Sequence, residues 1–97
     1  MANYSGAKSV HSKTLVANTA DTVTLTADFG EVRVVNLDGA ASIYFTVDGA
    51  AATVAGDGTL VLPAALASRV ERAKVDRANT VVSLISSGTP KYSVEGV

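Results

Sequence analysis

The residues of this chain that could do chemistry are few and far apart. His11 is its one histidine, next to Ser12, and nine carboxylates are scattered over 97 residues. Serine–histidine catalysis needs a serine held against the imidazole and an oxyanion hole, usually announced by a sharp Gly-x-Ser-x-Gly turn. The chain has no such turn, so Ser86-Ser87-Gly88 reads as turn chemistry and His11 as a surface residue. Asp48-Gly49 and Gly56-Asp57-Gly58 superficially resemble calcium loops, but the alternating acidic positions and the closing glutamate are missing. A carboxylate pair for sugar hydrolysis would need a deeper pocket than so small a core provides. No glycine-rich loop follows a strand and opens a helix, so a nucleotide has no cradle. With no cysteine there is neither a disulfide nor a thiolate metal site. Tyr4, Phe29, Tyr44, Phe45 and Tyr92 are the only aromatics, too few to stack sugars or single-stranded nucleic acid. The expectation is a protein that is not an enzyme and uses no cofactor or metal.

Charge gives the one local signal. Arg69, Arg72, Lys74 and Arg77 lie close together with Glu71 and Asp76, a window of net +2, while the remaining four basic and seven acidic residues sum to −3. Such a strip suits docking to an acidic neighbour or to a second copy. The plainer reading is that the charges blunt an exposed edge strand. A whole-chain charge of −1 gives no reason to expect nucleic-acid binding.

The elements that would position these residues are short runs of Val, Ile, Leu and Thr closed by Gly, Asp, Asn, Ser or Pro. Asp21 to Ala27 alternates cleanly, Val23, Leu25 and Ala27 against Thr22, Thr24 and Thr26, the pattern of a half-buried strand. Val10 to Val16 alternates weakly before it, with a turn at Asn18 to Asp21, and Asp28-Phe29-Gly30 closes the second run. Glu31 to Leu37 sets Val32, Val34 and Asn36 against Arg33 and Val35, and Ser42 to Val47 sets Ile43, Phe45 and Val47 on one face. Asp-Gly-Ala-Ala occurs at 38–41 and again at 48–51, which reads as two similar hairpin ends. Thr59 to Leu62 is a further run, closed by Pro63.

Ala64 to Ala78 points two ways. Its Ala, Arg, Glu and Lys content and the spacing of Leu66, Val70, Ala73 and Arg77 favour a helix, whereas the strand rhythm of the chain predicts a strand with Val70 to Val75 as its body. The strand is preferred, with a short helical turn at Ala64 to Ala67. Thr80 to Ser86 and Lys91 to Val97, joined by Ser87-Gly88-Thr89-Pro90, read as a hairpin.

The result is an all-β fold, a small antiparallel β-sandwich or jelly-roll-like barrel of about seven to nine short strands. Residues 1–9, with Tyr4 as the one large apolar group and a candidate anchor, read as an N-terminal arm, and 10–97 as a single domain. The expected core is Val23, Leu25, Val32, Val34, Ile43, Phe45, Val47, Leu60, Leu62, Val82, Leu84, Tyr92 and Val94. Because 47% of the chain is hydrophobic but mostly Ala and Val, the core is thin, and a partner surface would add to a modest stability. Met1 to Ala20 has no apolar run of signal-peptide length, and no apolar stretch is long enough to span a membrane as a helix.

Val34-Val35-Asn36, Ser42 to Gly49, Leu62-Pro63-Ala64, Val81 to Gly88 and Tyr92-Ser93-Val94-Glu95 together resemble small virion proteins of tailed bacteriophages. In particular they are similar to the β-sandwich proteins that decorate phage heads. The likeness runs over about residues 30 to 97 and is one of strands and turns, carrying no catalytic motif. It implies a structural protein on the outer capsid surface, made in the host cytoplasm, that binds the major capsid protein and sister copies as a homo-oligomer such as a trimer. Neither nucleic acid nor membrane is an expected partner. Tyr4, Arg69, Arg72, Lys74 and Arg77 are then candidate contacts to capsid or sister subunit, read from charge and position. A tail-tip or fibre module binding a host receptor or glycan, or an unrelated protein- or carbohydrate-binding sandwich, fits the same elements.

Overall fold

Every second side chain between Asp21 and Leu25 is removed from water, and this strand sets the inner face of one sheet. The computed structural model describes residues 2–27, 30–65, 67–72 and 79–97. Among the described residues there are nine strands and no α-helix. They are β1 (Asn3–Gly6), β2 (Ser9–Thr14), β3 (Asp21–Leu25), β4 (Glu31–Asn36), β5 (Ile43–Thr46), β6 (Leu60–Leu62), β7 (Ser68–Arg72), β8 (Thr80–Ile85) and β9 (Lys91–Gly96). A five-stranded sheet runs β1-β3-β8-β5-β6 and a four-stranded sheet runs β2-β9-β4-β7, so the fold is a small β-sandwich.

The core lies between the sheets. Val23, Leu25, Ile43, Phe45, Leu62, Val82 and Leu84 from one layer meet Val32, Val34, Tyr92 and Val94 from the other, all without solvent exposure. Burying each is worth roughly 1.5–3 kcal/mol, and period-two alternation is what delivers them to one side. Val47 and Leu60, expected in the core, are partly buried and pack against it. Leu15 is fully buried and Val10, Ala52 and Ile85 nearly so, although none lies in a cleanly alternating run.

The sheets are not joined as the turn residues suggest. Thr80–Ile85 and Lys91–Gly96 do not form a hairpin, since β8 pairs with β3 and β5 while β9 pairs with β2 and β4. The connection climbs from one layer to the other around Ser86, whose buried hydroxyl donates to the Ser42 carbonyl (2.7 Å) and accepts from the Gly88 amide (3.1 Å). Gly88 permits this approach, because a Cβ there would stand 2.8 Å from that of Ala41. Likewise Asp38-Gly39 is a crossing from β4 to β5 in the other layer. Asn36, buried at the end of β4, ties it by donating to the Ala41 carbonyl and accepting from the Gly39 amide. A β-turn motif dictates a reversal, not whether the returning strand lies in the same layer.

Both Asp-Gly-Ala-Ala copies nevertheless build the same turn. Each aspartate accepts from the amide two residues on, and Gly39 and Gly49 have φ of 62° and 85°. β5 and β6 are the consecutive strands that do pair, with Val47 to Thr59 between them.

The segment read as an arm is a sheet strand. β1 pairs with β3, and in parallel, departing from an otherwise antiparallel set of ladders. The carbonyl of Gly6 and those of the flanking Ala2 and Ala7 accept from Thr26, Thr22 and Ala27, so backbone pairing compensates for a polar composition. Within Ala64 to Ala78, Ser68–Arg72 is strand, Ala64-Ala65 is a turn without helix, and Leu66 and 73–78 lie outside the described residues, as do Asp28 and Phe29.

Candidate interaction surfaces

The candidate contact residues divide by the side of the sheet to which register assigns them. β7 is an edge strand on which Arg69 stands opposite Val34 and Glu71 opposite Val32, so both turn toward the interior, while Ser68, Val70 and Arg72 turn outward. Arg69 Nε pairs with Glu71 Oε2 at 2.7 Å, and Nη1 donates to the Val61 carbonyl on β6 at 2.7 Å. The guanidinium thus spans the gap between the two sheets and caps an otherwise open carbonyl of the β6 edge. Inward charge on an edge strand is a standard guard against unwanted strand pairing. Arg72 is exposed, in register with Glu31. Lys74 and Arg77 lie outside the described residues.

Tyr4 occupies the opposite flank. Its ring is half-buried against the core, and Lys13 Nζ from β2 sits 4.6 Å from the ring centroid. Lys13 is in register with the inward Tyr92, so here too a basic side chain of the four-stranded sheet reaches across to the edge of the five-stranded one. Close by, buried Asp21 accepts the Tyr92 hydroxyl at 2.9 Å and the Ala2 amide at 3.3 Å, joining β9, β3 and the start of β1. Burial, reinforced by the Asp21 charge and hydrogen bond, pushes the Tyr92 phenol well above its ordinary range. Sequence inspection misses this pair because the partners are far apart in the chain.

His11 is exposed where β2 bulges. The register against β9 slips between Val10 and Lys13, Ser12 takes φ 57°, and its amide donates to Ser93 Oγ at 3.1 Å. Among the described residues no three His, Cys, Asp or Glu side chains cluster as metal ligands would. Asp48 uses one carboxylate oxygen on the Ala50 amide in its turn.

The two outer faces differ more than the flanks. On the four-stranded sheet, Arg33 pairs with Glu95 at 3.2 Å, and Glu31, Lys91 and Arg72 share the surface. On the five-stranded sheet the outward positions are Asn3 and Ser5 on β1, Thr22 and Thr24 on β3, Val81, Ser83 and Ile85 on β8, Tyr44 and Thr46 on β5, and Val61 on β6. None is charged. Part of this face is covered by the β5–β6 loop: Thr46 Oγ1 donates to the Ala50 carbonyl, and the nearly buried Ala52 amide donates to Ser83 Oγ at 3.0 Å. That covering explains why β8 is buried on both sides at Ser83. The remainder, centred on Thr22, Thr24, Val81 and Tyr44, is half-exposed.

The fold is a β-sandwich with one charged and one uncharged outer face. Compared with known proteins, the chain matches no family model, no curated protein and no solved structure.

Proposed function

We infer that this chain is a non-enzymatic structural protein of a tailed-bacteriophage virion, a head decoration protein that binds the outer capsid surface and stabilises it. The observation that carries the reading is the uncharged outer face of the five-stranded sheet beside a charged one on the other side. Interface centres are depleted in charge, because every desolvated ion costs more than a neutral group of the same size. Threonine, serine and one tyrosine offer hydroxyls to a backbone or amide partner while keeping the face soluble. The likeness of residues 30 to 97 to phage-head sandwich proteins supplies the partner class, the major capsid protein and sister copies on the virion surface. In this reading Arg72 lies on the outer side of the opposite sheet, available to an acidic neighbour.

Undecorated heads titrated with the purified protein test the proposal. Saturable, stoichiometric uptake that raises the heads' resistance to heat is expected, and Thr24→Glu on the uncharged face should abolish it while leaving the fold intact. Loss of uptake in Arg72→Glu but not in Thr24→Glu would move the contact to the charged face. No uptake at all would overturn decoration, and labelling of intact particles would then test for a tail-tip or fibre position.

A further inference from the structure

We propose that β1 is an exchangeable strand, which leaves its own β3 and pairs with the β3 of a second copy. Three features of the N-terminal flank lead there. First, β1 is joined to β2 by Ala7 and Lys8 alone, yet the two strands belong to different sheets. The turn has no room to spare, because a Cβ on Gly6 would stand 2.5 Å from the Ser9 carbonyl oxygen. Straightening it merges β1 and β2 into one extended ribbon, and a short hinge of this kind favours exchange.

Second, β1 is held at its edge mainly by backbone pairing. It lies at an edge, its pairing is parallel, and besides half-buried Tyr4 it brings only Asn3, Ser5 and Gly6. Third, the place it leaves cannot stay empty. Its departure strips the Thr22, Thr26 and Ala27 amides of their acceptors and uncovers fully buried Val23 and Leu25. The strand shown to fit that vacancy, with Tyr4 seated against the core and Ala2 on Asp21, is β1 itself, so a second copy satisfies it in full. The hydrogen bonds and packing that opening breaks form again between two molecules, and the balance is set by concentration.

The β1 edge also lacks the guards present at the other edges. The β2 edge is bulged, β6 is capped by Arg69, and β7 carries charge, whereas β1 has no charge, bulge or proline. Strand exchange of this kind is independent of what the protein decorates.

Because the chain has no cysteine, engineered thiols report the pairing cleanly. Ser5 and Thr24 are register partners, so a Ser5→Cys chain and a Thr24→Cys chain are mixed at high concentration, oxidised, and separated without reductant. Exchange predicts a mixed disulfide dimer several-fold above the self-dimers that either chain forms alone. Mixed dimer no greater than the self-dimer background, while a Ser5→Cys/Thr24→Cys chain closes its internal bond, would overturn the proposal.

Discussion

The two flanks of the sandwich solve one problem with different chemistry. Where two sheets stack, their edge strands leave a seam through which water reaches the core, and in each case a basic residue of the four-stranded sheet crosses it. At the β6–β7 flank Arg69 does so by hydrogen bonds, to a backbone carbonyl and to Glu71, in a geometry that also blocks the strand edge. At the β1–β2 flank Lys13 lies over the Tyr4 ring, an attraction without a fixed direction that blocks nothing. The seam contact thus guards the strand edge at one flank and leaves it unguarded at the other, where buried Asp21 holds the layers together from within.

The core between them calibrates the comparison. Phe45→Ala, at a fully buried position in the core between the flanks, should cost about 3–5 kcal/mol in urea unfolding, more than any change at either seam. A loss below about 1 kcal/mol would mean that the inner face of β5 is misassigned.

Tyr92→Phe sharpens the contrast by loosening one flank alone. It leaves the buried Asp21 carboxylate without the phenol, at a cost of about 1–3 kcal/mol, and amide exchange should quicken in β1 and β3 but not in β6 and β7. The same pair gives a pH signature. Because burial raises the Tyr92 pKa above its unfolded value of about 10, its share of stability is complete below that pH and is lost as pH climbs beyond it. Urea midpoints between pH 9 and 11 should therefore fall less steeply in Tyr92→Phe than in the parent.

Arg69→Ala and Lys13→Ala compare the seams directly. The arginine change should cost about 1–2 kcal/mol, since it uncaps the Val61 carbonyl and strands Glu71, against about 0.5–1 kcal/mol for the lysine. Equal losses would erase the distinction. Smallest of all, raising salt to about 1 M should narrow the difference between Arg69→Ala and the parent by a few tenths of a kcal/mol, because the Arg69–Glu71 pair is partly exposed.

The inner faces of β3, β4 and β5 were legible because alternation is a local property, and Val23, Leu25, Val32, Val34, Ile43 and Phe45 declare it without help from the rest of the chain. Layer membership was not legible. Ser86-Ser87-Gly88-Thr89-Pro90 and Asp38-Gly39 specify a change of direction, and only packing against Ser42 and Ala41 makes it a crossing between sheets. β1 escaped notice for a related reason: its stability comes from the β3 backbone, which leaves no mark on Asn3, Ser5 or Gly6. The basic strip was legible as charge, but its composition could not say that Arg69 turns inward and satisfies its own fold. The uncharged outer face was hidden because its members come from five strands, each contributing one to three neutral residues to a surface that exists only after assembly.

The place of β9 between β2 and β4 has a temporal consequence. Ser9 meets Glu95 and Thr14 meets Lys91, so the second strand must wait for the ninth. A nascent chain therefore has no complete four-stranded layer until β9 has been made, and folding is a slow, cooperative event governed by distant pairings. Clipping the final strand would detach β2 from its sheet altogether.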